Sequence, residues 1–153
     1  MKPSERLADL KLVLPDSPAP IGAYVPGIRT GNLVLVSGQL PFVDGKLTCT
    51  GKVGRDVTLD QARFAARVAG LNALAIAAKS ASGLDQVGRI IRLCVFVCSA
   101  DDFFDHPKVA NGASDLMTEI FGDAGRHVRA AVGAAALPMN ASVEVELMAE
   151  LVG

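Results

Sequence analysis

Thr58-Leu59-Asp60-Gln61 opens the segment that most restricts what this chain can become. A threonine followed three residues later by a glutamine is a capping box. The hydroxyl accepts from an early helix amide, and the glutamine side chain reaches back to the cap's own N–H. The helix is expected to run to about Lys79, with Ser82-Gly83 ending it. Ala62, Ala65, Ala66, Ala69, Ala73 and Ile76 give it a face of small side chains. Such a face suits close packing on a sheet. Arg63 and Arg67 mark its outer side.

The rest of the chain supplies the sheet. Ser4 to Leu12 has a short helical pattern, which Pro15, Pro18 and Pro20 stop, giving an extended connector. Tyr24 to Ile28 and Leu33 to Ser37 are expected strands around a hairpin turn at Gly31-Asn32, and Asp44-Gly45-Lys46 is a second tight turn. Arg89 to Cys98 is a further strand. Ser99-Ala100-Asp101-Asp102 then caps a helical region that Pro107 interrupts and that resumes from Gly112 to Phe121. With the two C-terminal strands, Val128 to Val132 and Val143 to Ala149, the order is ββ, helix, β, helix, ββ. That is an α+β fold with helices on one face of a mixed sheet, in one domain over residues 1–153 with 1–16 as an N-terminal extension.

The last strands carry the chemistry. Leu137-Pro138 separates them. Arg129 heads the first, where everything that follows is small or apolar, and a guanidinium there must reach solvent or hold an anion because it cannot lose its charge. In the second, alternation places Val143, Val145 and Leu147 on one face and Glu144, Glu146 and Glu150 on the other. An arginine for an anionic substrate and a carboxylate for a water or proton are thus expected to meet on neighbouring strands.

Composition excludes several classes. The chain is half hydrophobic yet only 5% aromatic, so it packs through small side chains rather than around large rings. No apolar run approaches the roughly 18–20 residues of a membrane-spanning helix, and the charged N-terminus lacks the core of a secretory signal. A cytoplasmic protein without a membrane partner is expected. The formal net charge is −1 with acids and bases mixed, so nucleic acid is not an expected partner. Three cysteines argue against a disulfide framework. In a strand Cys94 and Cys98 share a face about 13 Å apart, too far for a disulfide or a shared metal. They read as buried small hydrophobes and Cys49 as a loop thiol. His106 and His127 stand alone, so no metal site is legible. Helices cover one sheet face, and pairing with other copies would hide the other.

Several stretches together resemble the RidA (YjgF, or L-PSP) family, in a longer branch labelled as endoribonucleases. They are Ser17-Pro-Ala-Pro-Ile-Gly-Ala-Tyr24, Leu33-Val-Leu-Val-Ser-Gly-Gln39-Leu-Pro, Arg129 upstream of Leu137-Pro138-Met139, and Val143-Glu144-Val145-Glu146. The resemblance implies a chorismate mutase-like fold and a homotrimer with clefts between subunits. It also implies hydrolysis of reactive 2-enamine/2-imine carboxylates to 2-keto acids and ammonia, without cofactor or metal. By position, Arg129 corresponds to the arginine that grips the substrate carboxylate and Glu144 to the glutamate that orients the attacking water. Tyr24 and Ser37 correspond to residues lining the cleft. Ala131 stands where archetypal members carry a cysteine, so a thiol role is lost while a contact from its backbone amide survives. The N-terminus and the 105–117 segment are longer than in the archetype.

Each residue also has a structural alternative. For Arg129 it is an ion pair with an acid; for Glu144, a solvated strand position indistinguishable from Glu146 by pattern; for Tyr24, a packing role with its hydroxyl bound to backbone. For Ser37 it is the end of a strand; Arg126 and His127 either help to bind an anion or are solvated loop residues, with the loop preferred for His127. Gly38, Gly125 and Gly133 suit backbone necessities, with Gly133 also leaving cleft room. Two further functions fit less closely: a non-catalytic trimer that binds small carboxylates, using Arg129 but not Glu144, and an RNA-cleaving enzyme.

Overall fold

The structure is a computed structural model that describes residues 1–16 and 22–153. The expected connector at Pro18 and Pro20, and most of the Ser17–Tyr24 resemblance, lie outside the described residues. A short helix α1 (Pro3–Asp9) is followed by strands β1 (Gly27–Thr30) and β2 (Leu33–Gln39). A two-stranded ribbon, β3 (Phe42–Val43) and β4 (Lys46–Leu47), precedes helix α2 (Leu59–Ser80). Strand β5 (Val87–Cys98), helix α3 (His106–Phe121), and strands β6 (Val128–Ala134) and β7 (Val143–Leu151) complete the chain.

The main sheet has the order β1-β2-β7-β5-β6. Only the β5–β6 pair is parallel, so the sheet is mixed, as the pattern of elements required. The two C-terminal strands are nevertheless not neighbours. The helix α3 crossover sets β6 parallel to β5 on the far side, while β7 inserts between β2 and β5. The expectation that Arg129 and Glu144 sit on adjacent strands is therefore corrected.

The α2 capping box is made. Thr58 Oγ1 accepts from the Gln61 amide at 3.2 Å, and the Thr58 amide donates to Gln61 Oε1 at 2.9 Å. Every alanine of the expected inner face is buried, and α2 lies on β2 and β7. Arg63 and Arg67 do not simply face outward. The Arg63 Nε donates to the Lys108 carbonyl at 3.2 Å and Arg67 pairs with Glu119 at 2.8 Å, so both tie α2 to α3. The helices approach so closely that a Cβ on Gly112 would collide with the Arg63 carbonyl.

Pro107 begins α3 rather than interrupting it. In the first turn the missing N–H would have had no helical partner anyway, so proline costs nothing there. Met117, Leu116 and Ile120 are buried on its inner side. Cys94 and Cys98 are buried free thiols on β5, and Cys49 is buried with the core instead of standing in an open loop. The first helix is fastened to the domain: Leu7 joins the core, and the Ser4 amide and hydroxyl both donate to Asp85, at 2.9 and 2.7 Å. Among the described residues no helix is long and apolar enough to cross a membrane.

Candidate active site

Alternation in β7 is as expected. Val143, Val145 and Leu147 are buried against the helices and Glu144 is half-buried on the opposite, open face. Glu144 registers with Phe96 of β5. On its other side runs β2, whose register against β7 shifts between Val36 and Gln39. Three steps of β2 there span two of β7, which is a bulge. Bulges re-aim backbone next to functional groups, and here the bulge lays Gly38 directly against the Glu144 carboxylate. A Cβ at Gly38 would overlap the Glu144 side chain from Cγ to Oε1. Gly38 is thus more than a backbone necessity; it makes the seat for the glutamate.

That seat perturbs the acid. Burial, followed by repulsion from Glu146 on the same face, raises the Glu144 pKa above the ordinary glutamate value. Glu146 is exposed, whereas Glu144 is half-buried, so the structure distinguishes two glutamates that pattern alone leaves equivalent.

Ser37 belongs to the same neighbourhood. Its hydroxyl donates to the Val25 carbonyl at 3.1 Å, and its amide donates to the Pro26 carbonyl at 2.8 Å. These bonds bring the segment carrying Tyr24 to the bulge. Tyr24 is 55% exposed, so its ring is not a core packing residue.

Arg129 lies elsewhere. It registers with Leu93, a fully buried residue of the helix-facing side, and so points to that side of edge strand β6. Its Nη1 donates to Asn111 Oδ1 at 2.8 Å and to Ser114 Oγ at 3.0 Å, both on α3. Its partners among the described residues are thus neutral groups, not the acid of an ion pair. Ala131 follows on the same side, half-buried against the core. At Gly133 a Cβ would meet His106 Nε2 at 2.8 Å and Ser99 Oγ at 3.1 Å, two groups already bonded to each other at 3.0 Å.

The expected residues therefore fall into two half-sites. Glu144, Ser37 and the Tyr24 segment gather at the β2 bulge, while Arg129 and Ala131 lie two strands away on the opposite face. Sequence reasoning misses Asn111 and Ser114. Their spacing of three on one helix face is a usable signal. His127 is not a solvated loop residue: its ring bonds Ser114 Oγ at 2.8 Å and the Gly125 carbonyl at 2.7 Å. Among the described residues no group of three His, Cys, Asp or Glu side chains is placed to hold a metal ion.

Comparison with known proteins identifies the family. The model of the family described as "YjgF/chorismate mutase-like, putative endoribonuclease" matches residues 4–151. Protein TCP17 of Trypanosoma cruzi is 41% identical over 146 residues, covering 95% of this chain and 91% of that one. The 2-iminobutanoate/2-iminopropanoate deaminase of Salmonella typhimurium is 37% identical over 135 residues, covering 88% and 91%. A solved structure from Shewanella oneidensis, described as a "putative endoribonuclease", superposes with a TM-score of 0.95 at 38% identity, covering 99% of this chain and 100% of that one. Escherichia coli TdcF with bound serine superposes less closely, with a TM-score of 0.63 at 27% identity and coverage of 88% and 92%. From the fold, relatives above 30% identity and a family match over almost its whole length, the chain belongs to the YjgF/RidA family, with that family's chorismate mutase-like fold.

Proposed function

We propose that this protein hydrolyses reactive 2-enamine/2-imine carboxylates to 2-keto acids and ammonia, as a homotrimer whose clefts each join the arginine half of one copy to the glutamate half of another. The observation that carries this reading is the Glu144 carboxylate, held half-buried against Gly38 with its pKa raised and with burial and Glu146 as the causes. A carboxylate kept partly out of water and closer to neutrality is a better proton acceptor than an ordinary glutamate. Relatives named as iminobutanoate deaminases at 36–37% identity support the substrate class.

The chemistry needs little more. The protonated imine is already an electrophile, so the enzyme mainly positions it and a water. Arg129 holds the substrate carboxylate. Glu144 takes a proton as the water oxygen bonds to the imine carbon, giving a tetrahedral carbinolamine. Returned to nitrogen, that proton lets the C–N bond break; the remaining hydroxyl proton passes to Glu144 and from it to the departing ammonia, so that the carbonyl forms and ammonium leaves. The exposed apolar residues of the open sheet face, Ile28, Leu35, Val128 and Val132, and the outer edge of β6, support its covering by further copies. RNA cleavage draws no comparable support, since among the described residues each histidine bonds its own serine, His106 to Ser99 and His127 to Ser114.

The test is imine hydrolysis. An amino-acid oxidase supplies 2-imino acids, and semicarbazide traps what survives. Wild-type protein is expected to deplete the trapped product, and Glu144→Ala to lose this while still binding a 2-keto acid. No depletion by wild type across several imino acids sinks the deaminase reading; binding without hydrolysis in wild type would instead identify a carboxylate-binding protein.

The raised Glu144 pKa makes a further expectation. Activity that needs ionised Glu144 falls as pH drops through its pKa, so the acid limb of kcat lies above the ordinary glutamate range, about 4.3. Glu146→Gln removes the like charge and moves that limb to lower pH. It does not reach the ordinary value, because burial is the larger cause. A pH–kcat profile unchanged by the substitution would assign the limb to another group.

A further inference from the structure

The guanidinium of Arg129 is held from behind by a chain of side chains that ends on backbone. Nη1 has two hydrogens, and both are used, one on Asn111 Oδ1 at 2.8 Å and one on Ser114 Oγ at 3.0 Å. Ser114 Oγ lies 2.8 Å from His127 Nε2, and His127 Nδ1 lies 2.7 Å from the Gly125 carbonyl oxygen.

Hydrogen-bond chemistry sets the direction of the last link and, for a neutral imidazole, of the others. A carbonyl only accepts, so His127 Nδ1 carries its hydrogen and donates to Gly125. In the neutral imidazole Nε2 must then accept. The hydrogen it accepts is that of the Ser114 hydroxyl, which leaves the Ser114 oxygen lone pairs free to receive Arg129. The links form one consistent relay, from guanidinium to serine to imidazole to backbone. Asn111 and Ser114 stand three apart on α3 and so face Arg129 together. The charged groups around His127 are Arg126, paired with Asp123 at 3.6 Å, and Arg89 and Glu150, which line the adjoining surface depression.

With Nη1 committed, the guanidinium cannot turn about its Cδ–Nε bond without breaking two bonds. The Nε–H and the parallel N–H of Nη2 are left, and this edge is the one that takes a carboxylate with two parallel bonds. We propose that Ser114 and His127 are positioning residues for Arg129, fixing its Nε–Nη2 edge in the orientation that receives the substrate carboxylate. The inference rests on the deaminase reading for the identity of that carboxylate; the clamp itself does not.

Two measurements separate the clamp from the activity. In protein labelled with 15N-arginine, the Nη groups of Arg129, assigned by their loss in Arg129→Lys, are expected to give separate resonances. Rotation about Cζ–Nη1 is blocked by its two acceptors. Ser114→Ala and His127→Phe are expected to average them, while Ser114→Thr and His127→Gln, which restore a hydroxyl and an acceptor, keep them apart. Averaged resonances in wild type, or resonances indifferent to all four substitutions, overturn the proposal whether or not the protein is a deaminase. The second measurement is calorimetric binding of pyruvate. Ser114→Ala and His127→Phe each weaken it about tenfold, the scale of a hydrogen bond to a charged group. The double variant is no weaker than either single one, because both act through one hydroxyl. Full additivity, or no weakening despite averaged resonances, overturns the assignment of the clamp to carboxylate recognition. Absence of imine hydrolysis by wild type with the clamp intact overturns only the deaminase reading.

Discussion

Arg129→Ala and Glu144→Ala, each inactive alone, are expected to recover about a quarter of wild-type imine hydrolysis when unfolded together in equal amounts and refolded. The expectation follows from where the two side chains lie. Arg129 is on the helix-facing side of edge strand β6, bonded to α3. Glu144 is on the open face of β7, against β2. Between β6 and β7 runs β5, so their backbones are about 10 Å apart across the sheet even before the opposite facing is counted. One chain cannot bring the pair to one substrate. In a cyclic assembly every cleft then takes its arginine from one copy and its glutamate from the next, and random mixing leaves both intact in about one cleft in four. Separately, each variant should fall by about 10²-fold or more, the scale of losing a general base or a bidentate anion grip. A mixture no more active than its components would mean that both groups serve one copy, and the two-copy site would be abandoned.

Strand β7 is legible in the sequence residue by residue, because period-two alternation is a direct consequence of the pleat. Alternation alone puts Glu144 on the face where it is found. The same is true of α2, whose cap and alanine face are local facts. What is not legible is adjacency. Leu137-Pro138 looks like a break between paired strands, and sequential strands do pair more often than not. Here the α3 crossover makes β5 and β6 the parallel pair, and β7 takes the open edge of β5 on the other side. That outcome depends on contacts far apart in the chain. Pro107 misleads for a different reason, since proline is a breaker inside a helix but at home in its first turn. Arg63, Arg67 and His127 read as solvent-facing because they are polar. Each finds its acceptor on another element, or at a turn that only the tertiary fold positions. Polar side chains that bridge elements leave no periodic mark.

Gly38→Ala is expected to lower kcat by about 10²-fold while changing the unfolding free energy by less than about 1 kcal/mol. Both magnitudes come from which atoms the new methyl would meet. At Gly38 the three nearest are the Cγ, Cδ and Oε1 of Glu144, the far end of a flexible side chain rather than backbone. The carboxylate can swing aside on its own rotamers, so folding loses little. In the proposed mechanism a water oriented by Glu144 would move with it, and a displacement near 1 Å at a reacting group is enough for a loss of about that order. Gly112 provides the contrast within the same molecule: a methyl there meets the Arg63 backbone carbonyl, which cannot move without parting α2 from α3. Substitution at Gly112 should therefore cost stability, on the order of 1–3 kcal/mol, whereas at Gly38 it should cost chemistry. Urea unfolding and initial rates on the two variants measure both quantities. If Gly38→Ala retains kcat within a few-fold, the seat of Glu144 against the bulge has no part in catalysis, and the reason for the bulge must be sought in the packing of β2 on β7.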